Sequence, residues 1–185
     1  MESLTPLAQA GNDIERALAA IDLASLDELA STIVSAKRIV AFGMGREGLM
    51  LRAAVMRWMH LGLDAHFAGD VTAPPVGPGD LLIVSDGTGT HQMHATMVRL
   101  GNEQQAATLV MTANPDAPTS ALAGQRFVIP ARTMAGSDTE VDSILSMGSL
   151  YEAVLLIATD VLALRIQALK GVTNEAMEAR HTNLE

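Results

Sequence analysis

The 185-residue chain is 49% hydrophobic and 18% charged, which makes it globular and not disordered, with length for one domain and a sizeable core. A formal net charge of −9 and an aromatic content of 3% argue against nucleic acid or an anionic membrane as partner, and against a base-stacking platform. Cysteine is absent, which removes disulfides, Cys-ligated zinc and Cys nucleophiles and fits a cytoplasmic protein.

The start, MESLTPLAQAGND, lacks a basic stretch followed by an apolar run, so no signal peptide is expected. Residues 5 to 36 read as two helices. The second is predicted from the capping-box spacing of Ser25 and Glu28, with Leu26, Leu29, Ala30, Ile33 and Val34 following at helical intervals. RIVAFG (38–43) reads as a buried strand, GMGREG as a glycine loop, and 47–61 as a helix closed by Gly62. Met56, Trp58 and Met59 fit helix packing better than a cofactor box.

A short strand is predicted near Ala65, His66 and Phe67, and APPVGPGD (73–80) is a loop by its Pro and Gly. LLIVS (81–85) is a strand, DGTGT a turn, and 91–100 a helix. AATLVMT (106–112) is a strand, ANPDAPTSALAG a loop with a short helix, and RFVIP (126–130) the last strand. Residues 131–142 form a polar connection. Residues 143–170 read as one long apolar helix ended at Gly171, and 173–179 as a last helical turn. Glu152, Asp160 and Arg165 interrupt 150–169 too often for a membrane span.

Apolar strands alternating with helices predict an α/β fold, a parallel sheet covered on both faces that binds ligands beyond the carboxyl ends of its strands. No linker divides the chain, so 1–37, 38–142 and 143–185 read as parts of a single domain.

The two glycine loops, GMGREG and SDGTGTH, fall at that edge. Glycine permits close backbone approach, and a helix N-terminus offers free N–H groups, so each loop can hold an anion. Plain strand-to-helix turns are the alternative. No G-x-x-x-x-G-K-[ST] occurs. GMGREG fits G-x-G-x-x-G, for which Asp64 or Asp70 would be the acidic partner of a dinucleotide site.

From Arg38 to the C-terminus the chain resembles the sugar isomerase (SIS) domain family, and within it the 6-phospho-3-hexuloisomerases. The residues that carry the likeness are GMGREG, AVMRWMHLG, GDLLIVSDGTGT, MGSLYE and the tail EARHTNLE. The resemblance implies a three-layer, flavodoxin-like α/β/α sandwich with a five-stranded parallel sheet. It implies a cytoplasmic isomerase that interconverts 3-hexulose 6-phosphate and fructose 6-phosphate without metal or organic cofactor. It also implies a homo-oligomer, tetramer or dimer, with active sites near subunit contacts.

Moving a carbonyl between neighbouring carbons needs a base, donors for an enediolate oxygen and a clamp for phosphate. By the resemblance Glu152, in MGSLYE, is the base, and His181 of the tail is a second catalytic group that could reach a neighbouring subunit. Gly45, Arg46, Glu47, Asp86, Gly87, Thr88, Gly89, Thr90 and His91 of the loops, with Ser149, are the substrate- or phosphate-binding candidates. Ser149 or Ser143 could equally cap the long helix. Structural roles are expected for His60 and His66. His91 and His94 stand at i, i+3, but no ligand cluster accompanies them, so no metal site is expected.

The chain departs from the family pattern at several positions. The second loop usually reads Ser-Gly-Ser-Gly-Glu-Thr. Here Asp86 and His91 replace hydroxyls, Glu47 replaces the usual serine of the first loop, and Leu145-Ser146 replaces Gln-Pro. A carboxylate about 4 Å from a phosphate costs roughly 4 kcal/mol at an effective dielectric of 20, about a thousandfold in affinity. Three escapes exist: the carboxylates point away, Arg46, Arg52 or His91 neutralises them, or the sugar lacks phosphate there. A differently substituted sugar, or a non-catalytic sugar-phosphate sensor, are the competing functions.

Overall fold

The computed structural model describes residues 5–135 and 141–184. Part of the polar connection (136–140) and the final residue of the tail motif lie outside these residues. Thr5 caps α1 (Pro6–Ala19) by accepting the Ala8 N–H at 3.3 Å. Helix α2 (Leu23–Ser35) is capped by Asp22 and not through the Ser25–Glu28 box. The Asp22 carboxylate accepts Ala24 N–H and Ser25 N–H at 3.0 and 3.3 Å, and Ser25 Oγ donates back to Asp22 O. A carboxylate facing the positive end of the helix displaces the hydroxyl.

Five parallel strands follow: β1 (Ile39–Phe42), β2 (Ala65–Phe67), β3 (Leu81–Ser85), β4 (Ala107–Thr112) and β5 (Gln125–Val128), in the order β2-β1-β3-β4-β5. Between them run α3 (Gly45–His60), α4 (Gln92–Glu103) and the short α5 (Pro118–Leu122), and after them α6 (Ser149–Lys170) and α7 (Asn174–Glu178). Alternate strand residues serve opposite faces, as the pleat requires. Ile39, Ala41, Leu81, Ile83, Leu109, Met111 and Phe127 pack with α1, α2, α3 and α6, and Trp58, Leu155 and Ile166 fill that core. Val40, Leu82, Val84 and Val110 pack with Val98 of α4 on the other face. The result is the expected α/β/α sandwich.

Helix α6 begins six residues later than its apolar run predicts. Ser143 Oγ donates to Asp13 Oδ2 at 2.8 Å and accepts Leu145 N–H at 3.0 Å, while Ile144 N–H donates to Asp13 at 3.0 Å. These bonds to α1, with Met147 at φ 58°, hold 143–148 as a turn. Asp13 is buried. Burial works to raise its pKa, but the hydrogen bonds from Ile144, Ser143, Arg16 and Gln9 prevail and hold it at about 2.

The strand order reverses direction between β1 and β3, so a crevice opens beyond their carboxyl ends. Phe42 pairs with Val84, and both glycine loops therefore leave the sheet side by side. The first loop turns tightly into α3 because a Cβ on Gly48 would stand 2.4 Å from Gly43 O, so only glycine fits.

Candidate functional site

The crevice holds a cavity of about 300 Å³. Arg46 and Glu47 of α3, Thr88 and His91 of the second loop, and Ser149, Tyr151 and Glu152 of α6 line it, together with Thr133, Met134, Met147 and Gly148. Helix α6 packs along α3, and this brings the first turns of the two helices to one place. Glu152 is 14% exposed and pairs with the guanidinium of Arg46, which is 66% exposed. The ion pair holds the carboxylate in one orientation at the cavity wall, within reach of a bound molecule.

Glu47 turns inward. Its Oε2 accepts the Ser85 hydroxyl at 2.6 Å, and its two oxygens accept the Gly87 N–H at 3.2 and 3.1 Å. Ser85 Oγ lies 3.2 Å from the buried Tyr151 hydroxyl. With its own proton given to Glu47, Ser85 accepts from Tyr151, so a chain of bonds runs from α6 through β3 to α3. Burial raises the Glu47 pKa; the Ser85 and Gly87 bonds oppose it in part, and the charges of Asp86 and Glu152 add to the rise. Burial, helped by the charge on Glu47, also lifts Tyr151 well above an ordinary phenol.

Asp86 is fully buried beneath the loop and faces away from the cavity. Its carboxylate accepts Gly89 N–H at 2.9 Å, His91 N–H at 3.2 Å and the Thr88 hydroxyl at 3.2 Å. Gly89 lies at φ 70°, and a Cβ there would meet that of Ala117 at 2.3 Å, so the loop needs glycine. Behind Asp86 sits His94, 2% exposed, with Nδ1 at 3.6 Å from Asp86 Oδ2 and neither ring nitrogen hydrogen-bonded among the described residues. Its pKa is lowered by burial and by His91, against the pull of Asp86.

The first escape thus describes Asp86 and not Glu47. Among the described residues neither candidate arginine pairs with Glu47 or Asp86: Arg46 pairs with Glu152, and Arg52 pairs with Asp70 at 2.6 Å and covers the Phe67 ring. Of the other candidates, Arg46, Thr88, His91 and Ser149 line the cavity. Gly45 opens α3, Gly87 and Gly89 contribute backbone, and Thr90 stands exposed at the rim with its hydroxyl 3.0 Å from that of Thr88. Ser143 is committed to Asp13.

His181 is not brought to this cavity in its own chain. It stacks on His60 at the last turn of α3, ring centroids 5.2 Å apart, while the cavity lies at the first turn. A 16-residue helix separates them by about 24 Å. Arg180 fixes the tail there by donating to His60 O at 3.0 Å. His66 pairs with Asp64 at 2.7 Å. Among the described residues no cluster of three or more His, Cys, Asp or Glu is placed to hold a metal ion, and no helix is long and apolar enough to cross a membrane.

Ser85, Tyr151, Thr133, Met134 and Met147 are cavity or network residues that the sequence reading did not select. Met147, Tyr151 and Ser85 stood inside quoted motifs, Tyr151 and Ser85 next to Glu152 and Asp86. Thr133 and Met134 carried no signal.

No family model matches the chain. It is 34% identical over 174 residues to a 3-hexulose-6-phosphate isomerase of Mycobacterium gastri, covering 94% of this chain and 87% of that one. It is 31% identical over 185 residues to the Bacillus subtilis protein of the same name, covering all of both. The crystal structure of a Methanococcus jannaschii protein, for which a function of 3-hexulose-6-phosphate isomerase was inferred, superposes with a TM-score of 0.84. That protein is 27% identical, and the match covers 98% of this chain and 100% of that one.

Proposed function

The chain belongs to the 3-hexulose-6-phosphate isomerase family of sugar isomerase domains, and on that premise we propose that it interconverts 3-hexulose 6-phosphate and fructose 6-phosphate with Glu152 as base. The observation that carries the assignment of the base is the Glu152 carboxylate, fixed by Arg46 in the wall of the cavity that both glycine loops border.

Glu152 takes the proton from C2 of the open-chain 3-hexulose. The electron pair forms the C2–C3 double bond, and the C3 carbonyl oxygen becomes an enediolate oxygen. Returning the proton to C3, while the proton of the C2 hydroxyl passes to the C3 oxygen, leaves a carbonyl at C2 and a hydroxyl at C3. Atoms and electrons balance within the sugar, so the step needs no redox partner. Arg46, beside the base, supplies positive charge for the enediolate, and Ser149 at the start of α6 supplies a hydroxyl donor. Glu152 is released from Arg46 as negative charge passes to the oxygen.

A homo-oligomer, tetramer or dimer, belongs to the same reading, as does a cytoplasmic location. Val161 and Leu164 of α6 support self-association: they are 37% and 63% exposed and border a groove against α7. His181 would then act at a neighbour's cavity.

The test is Glu152→Gln, with far-UV circular dichroism as the check on folding. Turnover of 3-hexulose 6-phosphate should fall about 10²- to 10⁴-fold, the usual contribution of a positioned base. Exchange of the sugar C–H with deuterated solvent should fall with it. Undiminished exchange in a folded variant removes Glu152 as the base.

A further inference from the structure

Three amides of the second glycine loop, those of Gly87, Gly89 and His91, are already engaged by the chain's own carboxylates. Glu47 holds the Gly87 N–H and the Ser85 hydroxyl, and Asp86 holds the Gly89 and His91 N–H groups. These are the donors that a strand–glycine loop–helix turn presents to an anion. Asp86 lies beneath the loop and is fully enclosed, whereas Glu47 is half-buried and reaches its partners from the cavity side. The two carboxylates are therefore unequal. One is part of the loop's foundation. The other sits where an incoming anion would sit.

We propose that Glu47 is a specificity-determining residue that occupies the anion subsite with its own carboxylate, so that phosphate binds only by displacing it. The proposal rests on reading this cavity as the sugar-phosphate site. It adds that the site is self-occupied and that its preference for a phosphate over a hydroxyl at this end is set at position 47.

The surroundings support the assignment. Arg46, the next residue back along α3, is bound to Glu152, and among the described residues no Lys or Arg pairs with Glu47. Asp86 and Glu152 are both close enough to act on Glu47 electrostatically, and both disfavour a further anion. Ser85 Oγ has given its proton to Glu47 and regains a free donor only when Glu47 leaves. Removing the carboxylate frees two donors, the Gly87 N–H and the Ser85 hydroxyl, and removes one negative charge from the subsite.

Isothermal titration of inorganic phosphate, fructose 6-phosphate and fructose into wild type, Glu47→Ser and Glu47→Gln tests this without reference to turnover. In Glu47→Ser, phosphate and fructose 6-phosphate should bind at least tenfold more tightly than in wild type, with fructose changed less than threefold. Glu47→Gln keeps the shape and an acceptor oxygen but loses the charge, and should gain a smaller factor for the two phosphates. Phosphate affinity that is unchanged, weakened or undetectable in both variants overturns the proposal, as does an equal gain for fructose. Failure of the isomerase reading would show separately, as absence of 3-hexulose 6-phosphate turnover in the wild type.

Discussion

Asp86→Ala is the sharpest structural test of how the second loop stands. The carboxylate accepts Gly89 N–H at 2.9 Å and His91 N–H at 3.2 Å, with the Thr88 hydroxyl at 3.2 Å. Gly89 N–H keeps a second acceptor in Asp86 O at 3.0 Å, so truncation leaves His91 N–H as the main unsatisfied donor. His91 is the N-cap of α4 and its side chain makes no capping bond; Asp86 instead holds the N–H of that N-cap residue, as the returning carboxylate of a capping box does. Loss of a capping side chain costs about 0.5–2 kcal/mol, and a hydrogen bond to a charged group is worth about 1.5–3 kcal/mol. Against this, a buried carboxylate no longer has to be desolvated. We expect a net loss of about 2–3 kcal/mol.

For a chain of this size each kcal/mol moves Tm by about 2–4 °C, so Asp86→Ala should melt about 5–10 °C lower. The assay is thermal and urea denaturation at fixed protein concentration, because assembly would couple to stability. Asp86→Asn, which keeps one acceptor oxygen, should lose about half as much as Asp86→Ala. A change smaller than about 0.5 kcal/mol, the ordinary effect of a neutral surface substitution, would refute the claim that this carboxylate holds the loop.

Two further outcomes concern Asp13 and His181. Asp13 has its folded-state pKa held at about 2 against an ordinary 3.8, so its stabilising contribution is full above the unfolded value and is lost as pH falls from about 4 towards 2; denaturation midpoints over that range should fall less steeply in Asp13→Asn than in wild type, and identical slopes would refute the link. His181 lies a helix length from its own chain's cavity, so mixing inactive Glu152→Gln with inactive His181→Ala subunits under exchange conditions should restore measurable isomerase activity; mixtures no more active than their parts would refute action across subunits.

The sheet was legible because its central strands are buried on both faces, and burial on both faces writes an uninterrupted apolar run such as Leu81–Val84. The glycine loops were legible for a similar local reason: Gly48 and Gly89 stand where no other residue fits. The start of α6 was not legible, since the apolar pattern of 143–148 is helical and the contrary instruction comes from Asp13, 130 residues away. Nor was the station of His181, which depends on Arg180 reaching His60 O across 120 residues.

The two carboxylates of the loops show where sequence reasoning turns on a distance it does not have. Read along the chain, Glu47 and Asp86 are charges that would repel a phosphate by roughly 4 kcal/mol each at 4 Å. In the fold the same charges are acceptors, and they meet N–H groups that a ligand would otherwise have to satisfy. A buried amide must have a partner whether or not a ligand is bound. A loop built to present amides is therefore stable while empty only if water or the protein itself fills it. Asp86 does this from below and leaves the cavity open; Glu47 does it from the cavity and closes the subsite. Which of the two a carboxylate will do is decided by the backbone atom it starts from, Asp86 within the loop and Glu47 on the facing helix.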